Sequence, residues 1–277
     1  MKNLPLVTVS IPTRNSSKTI ELCLKAVKCQ TYKNIEINII DNHSTDETII
    51  IAKKNGVKNI KTYNEALLGA RYEGAKIAKG EFVLLLDSDQ ILEKDCIKKA
   101  ILKIKNCDFL FLEEDVYYCA NLLEKLFQYD RKLINQIKDI DPNTSAMLPR
   151  FFRKKILLDS FKRIPKNICK SVGGQDHAII YFEVWEISKR GGILPEAVKH
   201  IEPHSLIIIF KKFYRWGYTS VGARSNKYSL LLNKKERFRK GLFRKNLFIE
   251  SIASIVLMLI KGIPFKIGYF AAKFLSK

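Results

Sequence analysis

Acidic residues are scarce in this chain of 277 residues: 28 Asp and Glu stand against 49 Lys and Arg, a formal charge of +21. The deficit is local. From Ser205 onward there are 16 basic residues against only Glu236 and Glu250, a balance of +14 (16 − 2), which leaves +7 for everything before. A basic end suits an anionic surface such as a membrane or a nucleic acid. The six cysteines, Cys23, Cys29, Cys96, Cys107, Cys119 and Cys169, form no C-x-x-C pair and no zinc spacing. A reduced, cytosolic compartment is the simplest expectation. Walker A and G-x-G-x-x-G patterns are missing, which argues against P-loop and dinucleotide-binding classes. No signal peptide is expected, since Met1 to Pro5 leads into a strand without a charged and then an apolar region. Repeats and low-complexity linkers are absent too. The apolar fraction of 47% is ordinary and sufficient for one α/β domain with an appended segment.

Against these absences stands Phe82-Val83-Leu84-Leu85-Leu86-Asp87-Ser88-Asp89. Five consecutive apolar residues read as a strand buried on both faces, as in a parallel sheet between helices. Two carboxylates follow where it runs out, and ligands in open α/β sheets bind beyond the carboxyl ends of strands. Asp87 and Asp89, at i and i+2, can point the same way and offer hard oxygen ligands to Mg²⁺ or Mn²⁺. A solvated turn is the plainer alternative.

The rest of the first half supports that setting. Val7 to Ile11 is a strand ending in Pro12. Ser16 or Ser17 can cap a helix with Ile20, Cys23, Leu24 and Val27 on one face. Ile35 to Ile40 is a strand with Asp41 at its end, and Ser44, Thr45 and Asp46 offer a cap for a helix through Lys54. Ile60 to Tyr63 forms a strand, Leu67 to Ala78 a helix, Ile97 to Ile104 a helix and Cys107 to Leu112 a strand. This alternation is the signature of a doubly wound, mostly parallel sheet. Beyond it, Ala120 to Gln136 reads as a helix, Arg150 to Arg153 as a short strand, Lys162 to Gly174 as a loop, and His177 to Lys189 as a helix. Val198 to Ile201 reads as a strand, and Leu206 to Trp216 as a helix interrupted by Gly217. Two regions follow: a catalytic domain over 1–220 and a basic, partly apolar helical tail over 221–277.

Four ordered motifs, Val9-Ser10-Ile11-Pro12-Thr13-Arg14-Asn15, Asp41-Asn42-His43-Ser44-Thr45-Asp46-Glu47-Thr48, Gly69-Ala70-Arg71 with Gly80-Glu81, and Asp87-Ser88-Asp89, give the chain its family likeness. Through them it resembles the inverting glycosyltransferases of family 2, with the GT-A fold, a Rossmann-like sheet flanked by helices. His43 stands where that family commonly has glycine, Tyr72 where asparagine is usual, and Gln90 where an acid is frequent. The resemblance implies a nucleoside-diphosphate sugar as donor. Asp41 would accept from the uracil or guanine edge, Pro12 and Asn15 would border that pocket, and Asp46 would lie beside it. Asp89 would bind Mn²⁺ or Mg²⁺, Asp87 would hold ribose or a metal-bound water, and Arg71 would face the diphosphate oxygens. Each also has a plain reading, as turn, cap or solvated helix residue.

Asp176, in Gly173-Gly174-Gln175-Asp176, is either a helix cap or, as in similar enzymes, the base that takes the proton of an acceptor hydroxyl. A hydroxyl acceptor needs such a base; a polyprenyl phosphate, the alternative acceptor, does not. Family members often bring a histidine from this region to the metal: His200 is the first candidate and His204 the second. In the tail, Lys234, Lys235, Arg237, Arg239, Lys240, Arg244 and Lys245 alternate with Phe238, Leu242 and Phe243. Two apolar stretches follow, Leu247 to Ile260 and Phe265 to Leu275, the first too short to cross a bilayer, which takes ~20 residues. Contact with the cytosolic face of an anionic membrane, peripheral or monotopic, is expected, with a lipid-linked saccharide or envelope glycan as acceptor. A C-terminal helix packed on the domain is the alternative for the tail. Nucleic acid is not expected as a partner, and a non-catalytic basic adaptor is the most distant reading.

Overall fold

The computed structural model describes residues 4–224, 227–237 and 241–275. Phe238, Arg239 and Lys240 of the expected basic segment lie outside the described residues, and so do the side chains of Lys234, Lys235 and Arg237. In chain order the elements are β1 (Val7–Thr13), α1 (Ile20–Lys28), β2 (Ile35–Asp41), α2 (Thr48–Lys54), β3 (Asn59–Thr62), α3 (Leu67–Ile77), β4 (Phe82–Leu85), β5 (Gln90–Leu92), α4 (Cys96–Lys103), β6 (Phe109–Val116) and α5 (Leu122–Ile137). Then come β7 (Pro149–Arg153), α6 (Lys154–Arg163), α7 (Lys166–Ser171), α8 (Asp176–Ile187), β8 (Gly191–His200), α9 (Leu206–Thr219), α10 (Val221–Arg224), α11 (Ser229–Arg237) and α12 (Phe248–Leu275).

The strands form one sheet in the order β3-β2-β1-β4-β7-β6-β8-β5. Its first four strands are parallel, as the alternation of elements predicts. Beyond β4 the sheet is mixed: β7 runs antiparallel to β4 and β6, β8 parallel to β6, and β5 antiparallel to β8. Successive side chains of a strand alternate between faces, and here both faces are covered. Phe82, Leu84 and Leu86 join Val7, Val9 and Ile11 under α1 and α4, while Val83 and Leu85 join Phe109, Phe152 and Leu157 under α3, α6 and α8.

Several local expectations give way. The strand expected from Cys107 starts at Phe109 instead. Ser16 and Ser17 do not cap α1. Its N-cap is Thr19, with no side-chain cap bond, and the Ser16 and Ser17 amides donate instead to Thr48 Oγ1 (2.7 Å) and Asp46 Oδ2 (3.0 Å). The stretch 162–174, expected as a loop, ends α6 and contains all of α7. Its lysines mask buried Ile164, Ile168 and Val172: Ile168 lies in α7, and Ile164 and Val172 are the extended residues that end α6 and α7.

Gly217 does not interrupt α9; it sits inside the helix because α12 comes too close for anything larger. A Cβ at Gly217 would run into the Phe265 carbonyl of α12, and a Cβ at Gly268 of α12 would run into the Tyr214 carbonyl of α9. The two apolar stretches of the tail are one helix that continues through Pro264. That helix is packed on the domain: Leu257 joins Val116, Phe127 and Ile209 in a third apolar cluster. Overpacking such a contact typically costs about 1–3 kcal/mol. Gly217→Val is therefore expected to lower the unfolding free energy, read from the denaturant midpoint at unchanged m, by at least that much, whereas Gly262→Ala, where a Cβ meets nothing within 4 Å, should raise it by up to ~1 kcal/mol.

Candidate active site

Every candidate residue except His204 lies near the carboxyl ends of the parallel strands. Asp41 ends β2 and Asp87 follows β4, with β1 between them, so their strands are two spacings or roughly 10 Å apart. The loops above are joined directly, since Ser88 Oγ donates to Ser16 Oγ at 2.9 Å.

On the β1–β2 side, Asp41 is buried and already holds the loop that follows it. It accepts from Thr13 Oγ1 (2.9 Å), Ser44 Oγ (2.6 Å) and the Ser44 amide (3.0 Å). Asn15 has a left-handed backbone (φ 50°), and its Oδ1 accepts from the Thr45 amide at 2.8 Å while its own amide donates to Ser44 Oγ at 2.9 Å. His43 is left-handed as well (φ 51°), which explains why a residue without a Cβ suits this position. Asp46 accepts from the Ser17 and Thr48 amides and from Thr48 Oγ1, so it braces both loops. Burial raises its carboxyl, but the Thr48 and Ser17 bonds outweigh that and hold it at about 2. Pro12 is buried in β1 opposite Ile40, beyond the last residue that β1 pairs with β4.

On the other side, Asp87 and Asp89 sit on one tight turn (Gln90 N to Asp87 O, 3.0 Å) but face different partners. Asp87 accepts from Arg71 Nη2 at 2.5 Å and from Arg150 Nη1 at 2.9 Å. Burial would raise its carboxyl, yet the two guanidiniums hold it well below the carboxylate range. Arg71 is 1% exposed rather than solvated, and its Nε donates to Asp176. Its Nη1 is buried with no hydrogen-bond partner. Asp176 is the first residue of α8; the N-cap position belongs to Gln175, in the left-handed region at φ 63°, so Asp176 is not the cap. Gly174, just before, lies so close to Trp216 of α9 that a Cβ there would overlap the indole.

Asp89 is brought to His200 by the β5–β8 register, which pairs Gln90 with His200. His200 Nε2 is 3.5 Å from Asp89 Oδ1, its Nδ1 is 3.4 Å from Glu202, and Lys212 Nζ of α9 is 3.9 Å from Asp89 Oδ2. His204 is exposed. Burial lowers the His200 imidazole, but Asp89 and Glu202 together push it above its ordinary value. Among the described residues no three His, Cys, Asp or Glu side chains converge as a metal shell. Asp89 and His200 nonetheless fit two positions on a divalent cation, with Glu202 behind the imidazole as carboxylates stand behind ligating histidines. Mg²⁺ and Mn²⁺ commonly complete their coordination with water and substrate oxygens.

Sequence reasoning misses the residues that bind these groups into one structure. Glu114 of β6 accepts from Arg150 Nε (2.7 Å), Arg131 Nη1 (2.5 Å) and Gln90 Nε2 (2.9 Å), and Arg131 Nη2 reaches Glu202 at 2.8 Å. Gln90, the departure from an expected acid, also accepts the Asp87 amide at 3.0 Å. His177 lies 3.0 Å from Arg150, and burial together with Arg71 and Arg150 drives its imidazole well below its ordinary value. The available signal was charge inside apolar strands: Arg150 in Pro149-Arg150-Phe151-Phe152, and Glu113-Glu114 after Phe109 to Leu112.

A family model described as glycosyl transferase family 2 matches residues 8–148. Glycosyltransferase GlyG of Streptococcus pneumoniae is 25% identical over 181 residues, covering 60% of this chain and 59% of that protein. An Escherichia coli enzyme, UDP-Glc:alpha-D-GlcNAc-diphosphoundecaprenol beta-1,3-glucosyltransferase WfaP, is 40% identical over 90 residues, 31% of this chain and 36% of its own. The chain thus spans less than two thirds of each. In fold it is similar to the mannosyltransferase PcManGT from Pyrobaculum calidifontis, solved with GDP-Man and Mn²⁺: TM-score 0.58 at 14% identity, covering 93% of this chain and 76% of that one.

Burial raises the Glu114 carboxyl, but Arg131 and Arg150 override it and hold it at about 2. A carboxyl depressed on folding stabilises above its unfolded value, near 4.5, and that contribution fades as pH falls toward 2. Glu114→Gln is expected to cost on the order of 3 kcal/mol at neutral pH, because it takes a carboxylate from the buried Arg150 and the half-buried Arg131 guanidiniums. Denaturation curves of the two proteins should converge between pH 5 and about 2.

Proposed function

The chain belongs to glycosyl transferase family 2, and from that membership we propose that it moves a sugar from a nucleoside-diphosphate sugar to an acceptor hydroxyl, inverting the anomeric carbon, with Mn²⁺ or Mg²⁺. The observation that carries this reading is the continuous set of ion pairs running from Asp176 and Asp87 through Glu114 and Glu202 to His200 and Asp89, two strand spacings from the Asp41 loop. Asp41, Pro12 and Asn15 form the nucleobase side, with Asp46 bracing them. Asp89 and His200 would hold the cation, and Asp87 would serve the ribose or a bound water. A divalent cation, when bound, neutralises charge growing on the departing diphosphate. The partnerless Nη1 of Arg71 is a fixed donor for an anionic oxygen on the same side.

Asp176 takes the acceptor hydroxyl proton while that oxygen bonds to the anomeric carbon and the bond to the diphosphate breaks. A carboxylate at Asp41 can accept from either uracil or guanine, and the similar proteins include both a UDP-Glc enzyme and one bound to GDP-Man. A lipid-linked saccharide, like the diphosphoundecaprenol substrate named for WfaP, or an envelope glycan, suits the acceptor. Residues 221–277 attach the enzyme to the cytosolic face of an anionic membrane, peripherally or monotopically. The catalytic unit is 1–220.

A thermal-shift screen of UDP- and GDP-sugars with Mn²⁺ tests the donor side. One donor is expected to raise Tm, and Asp89→Asn to abolish the metal-dependent part of that rise. Asp176→Asn is expected to keep the donor shift while losing about 10²–10⁴-fold in transfer to hydroxyl acceptors. Undiminished transfer to a polyprenyl phosphate by that variant would reassign the protein as a polyprenyl-phosphate sugar synthase. No shift and no turnover with any donor would leave only a binding role.

A further inference from the structure

The outward face of α12 is mostly apolar, and two exposed lysines, Lys266 and Lys273, share it three residues after Ile263 and Phe270. Ile252, Val256, Leu259, Ile263, Ile267 and Phe270 follow one another at steps of three or four residues, each 38–60% exposed. Phe248 and Phe274 prolong the stripe at its two ends, 67% and 73% exposed. None of these positions carries a charge, and the helix of 28 residues is about 40 Å long. An exposed apolar surface of this extent on one helix marks an interaction site.

The inner face cannot turn outward to surround itself with lipid. Glu250 pairs with Lys132 of α5 at 2.6 Å, and Ser254 donates to Asp130 of α5 at 2.6 Å. Buried Ser251, Ala253 and Leu257 continue that face, and the Gly217 and Gly268 contacts lock it against α9. In composition the helix passes for a membrane span, but crossing a bilayer would strip these partners away. The neighbouring helix α9 adds to the apolar surface. Phe210, Tyr214 and Tyr218 stack in sequence along it, and the Tyr214 carbonyl is the group that meets Gly268.

Resting on the membrane attachment proposed above, we infer that α12 lies in the plane of an anionic bilayer interface. Its outer stripe enters the lipid and its inner face stays packed on α5 and α9. Two observations select lipid as the occupant. The stripe is the outer ridge of a single helix rather than a groove that would hold a peptide. Exposed Lys266 and Lys273 lie on the same helix, in a C-terminal region of net charge +14, complementary to acidic headgroups. The helix pair also borders the site, because α9 carries Lys212, on the side away from Phe210 and Tyr214, to within 3.9 Å of Asp89. A lipid-borne acceptor would then reach the reacting centre without leaving the surface.

The full chain is tested by co-sedimentation with vesicles of phosphatidylcholine alone and of equal parts phosphatidylcholine and phosphatidylglycerol. Wild type is expected to bind the acidic vesicles, and the double variant Leu259→Asp/Ile263→Asp to lose about tenfold or more in partitioning. Its melting temperature and donor-induced shift should be unchanged. Tryptophans placed singly by Phe248→Trp, Ile263→Trp and Phe274→Trp are expected to be quenched equally, and at shallow depth, by lipids with brominated acyl chains. Deep quenching at 263 with shallow ends would mean a spanning helix: attachment would stand and the in-plane arrangement would fall. Binding that survives the double variant but is lost on charge reversal of Arg244 and Lys245 would remove the stripe and leave the basic segment. No binding by wild type would overturn both, as would a stable dimer that Leu259→Asp dissolves without any vesicle binding.

Discussion

The site depends on one chain of alternating charges through the interior: Asp176, Arg71, Asp87, Arg150, Glu114, Arg131, Glu202, His200 and Asp89. Burying any of these ions alone would cost several kcal/mol, and pairing offsets that cost only when every member has its partners. Each link therefore needs the others. The members come from α3, the turn after β4, β7, β6, α5, β8 and α8, so the chain also fixes how the mixed half of the sheet sits against the parallel half. Such a network contributes less to net stability than its bond count suggests. What it fixes is position: carboxylates on the two flanks of the site are held to one frame.

The parallel half of the fold was legible because its physics is local. A strand buried on both faces has to be apolar throughout, and Phe82 to Leu86 is; a helix with one buried face has to repeat at three and four, and Ile20 to Val27 does. The strand-end acids Asp87 and Asp89 followed from the rule that such sheets carry ligands there, and Asp41 from the family likeness. The β5–β8 register brings Asp89 beside His200, whereas His204 stays at the surface. Arg71 was legible as a residue and not as a partner: nothing nearby in sequence announces that Asp176, 105 residues away, shares its guanidinium.

The second half was harder because its signals are long-range. Lysines hid the apolar face of α7, and Gly217 looked like a breaker when its lack of a side chain serves an approach by a helix some fifty residues later. Arg150, Glu114 and Arg131 carry no motif. Their meaning lies in being charged where the strand or helix around them is buried, which only the register of β6, β7 and α5 turns into contacts.

The paired notches at Gly217 and Gly268 bear on how this architecture can be recombined. Each glycine receives the other helix's backbone, so neither helix fits a foreign mate that lacks the reciprocal gap. A chimaera exchanging α12 between relatives would have to carry α9 with it, and α9 also holds Lys212 and Trp216 over the site. Exchange of α12 is thereby bound to exchange of residues beside the candidate site, and the two helices are expected to be inherited as a single cassette.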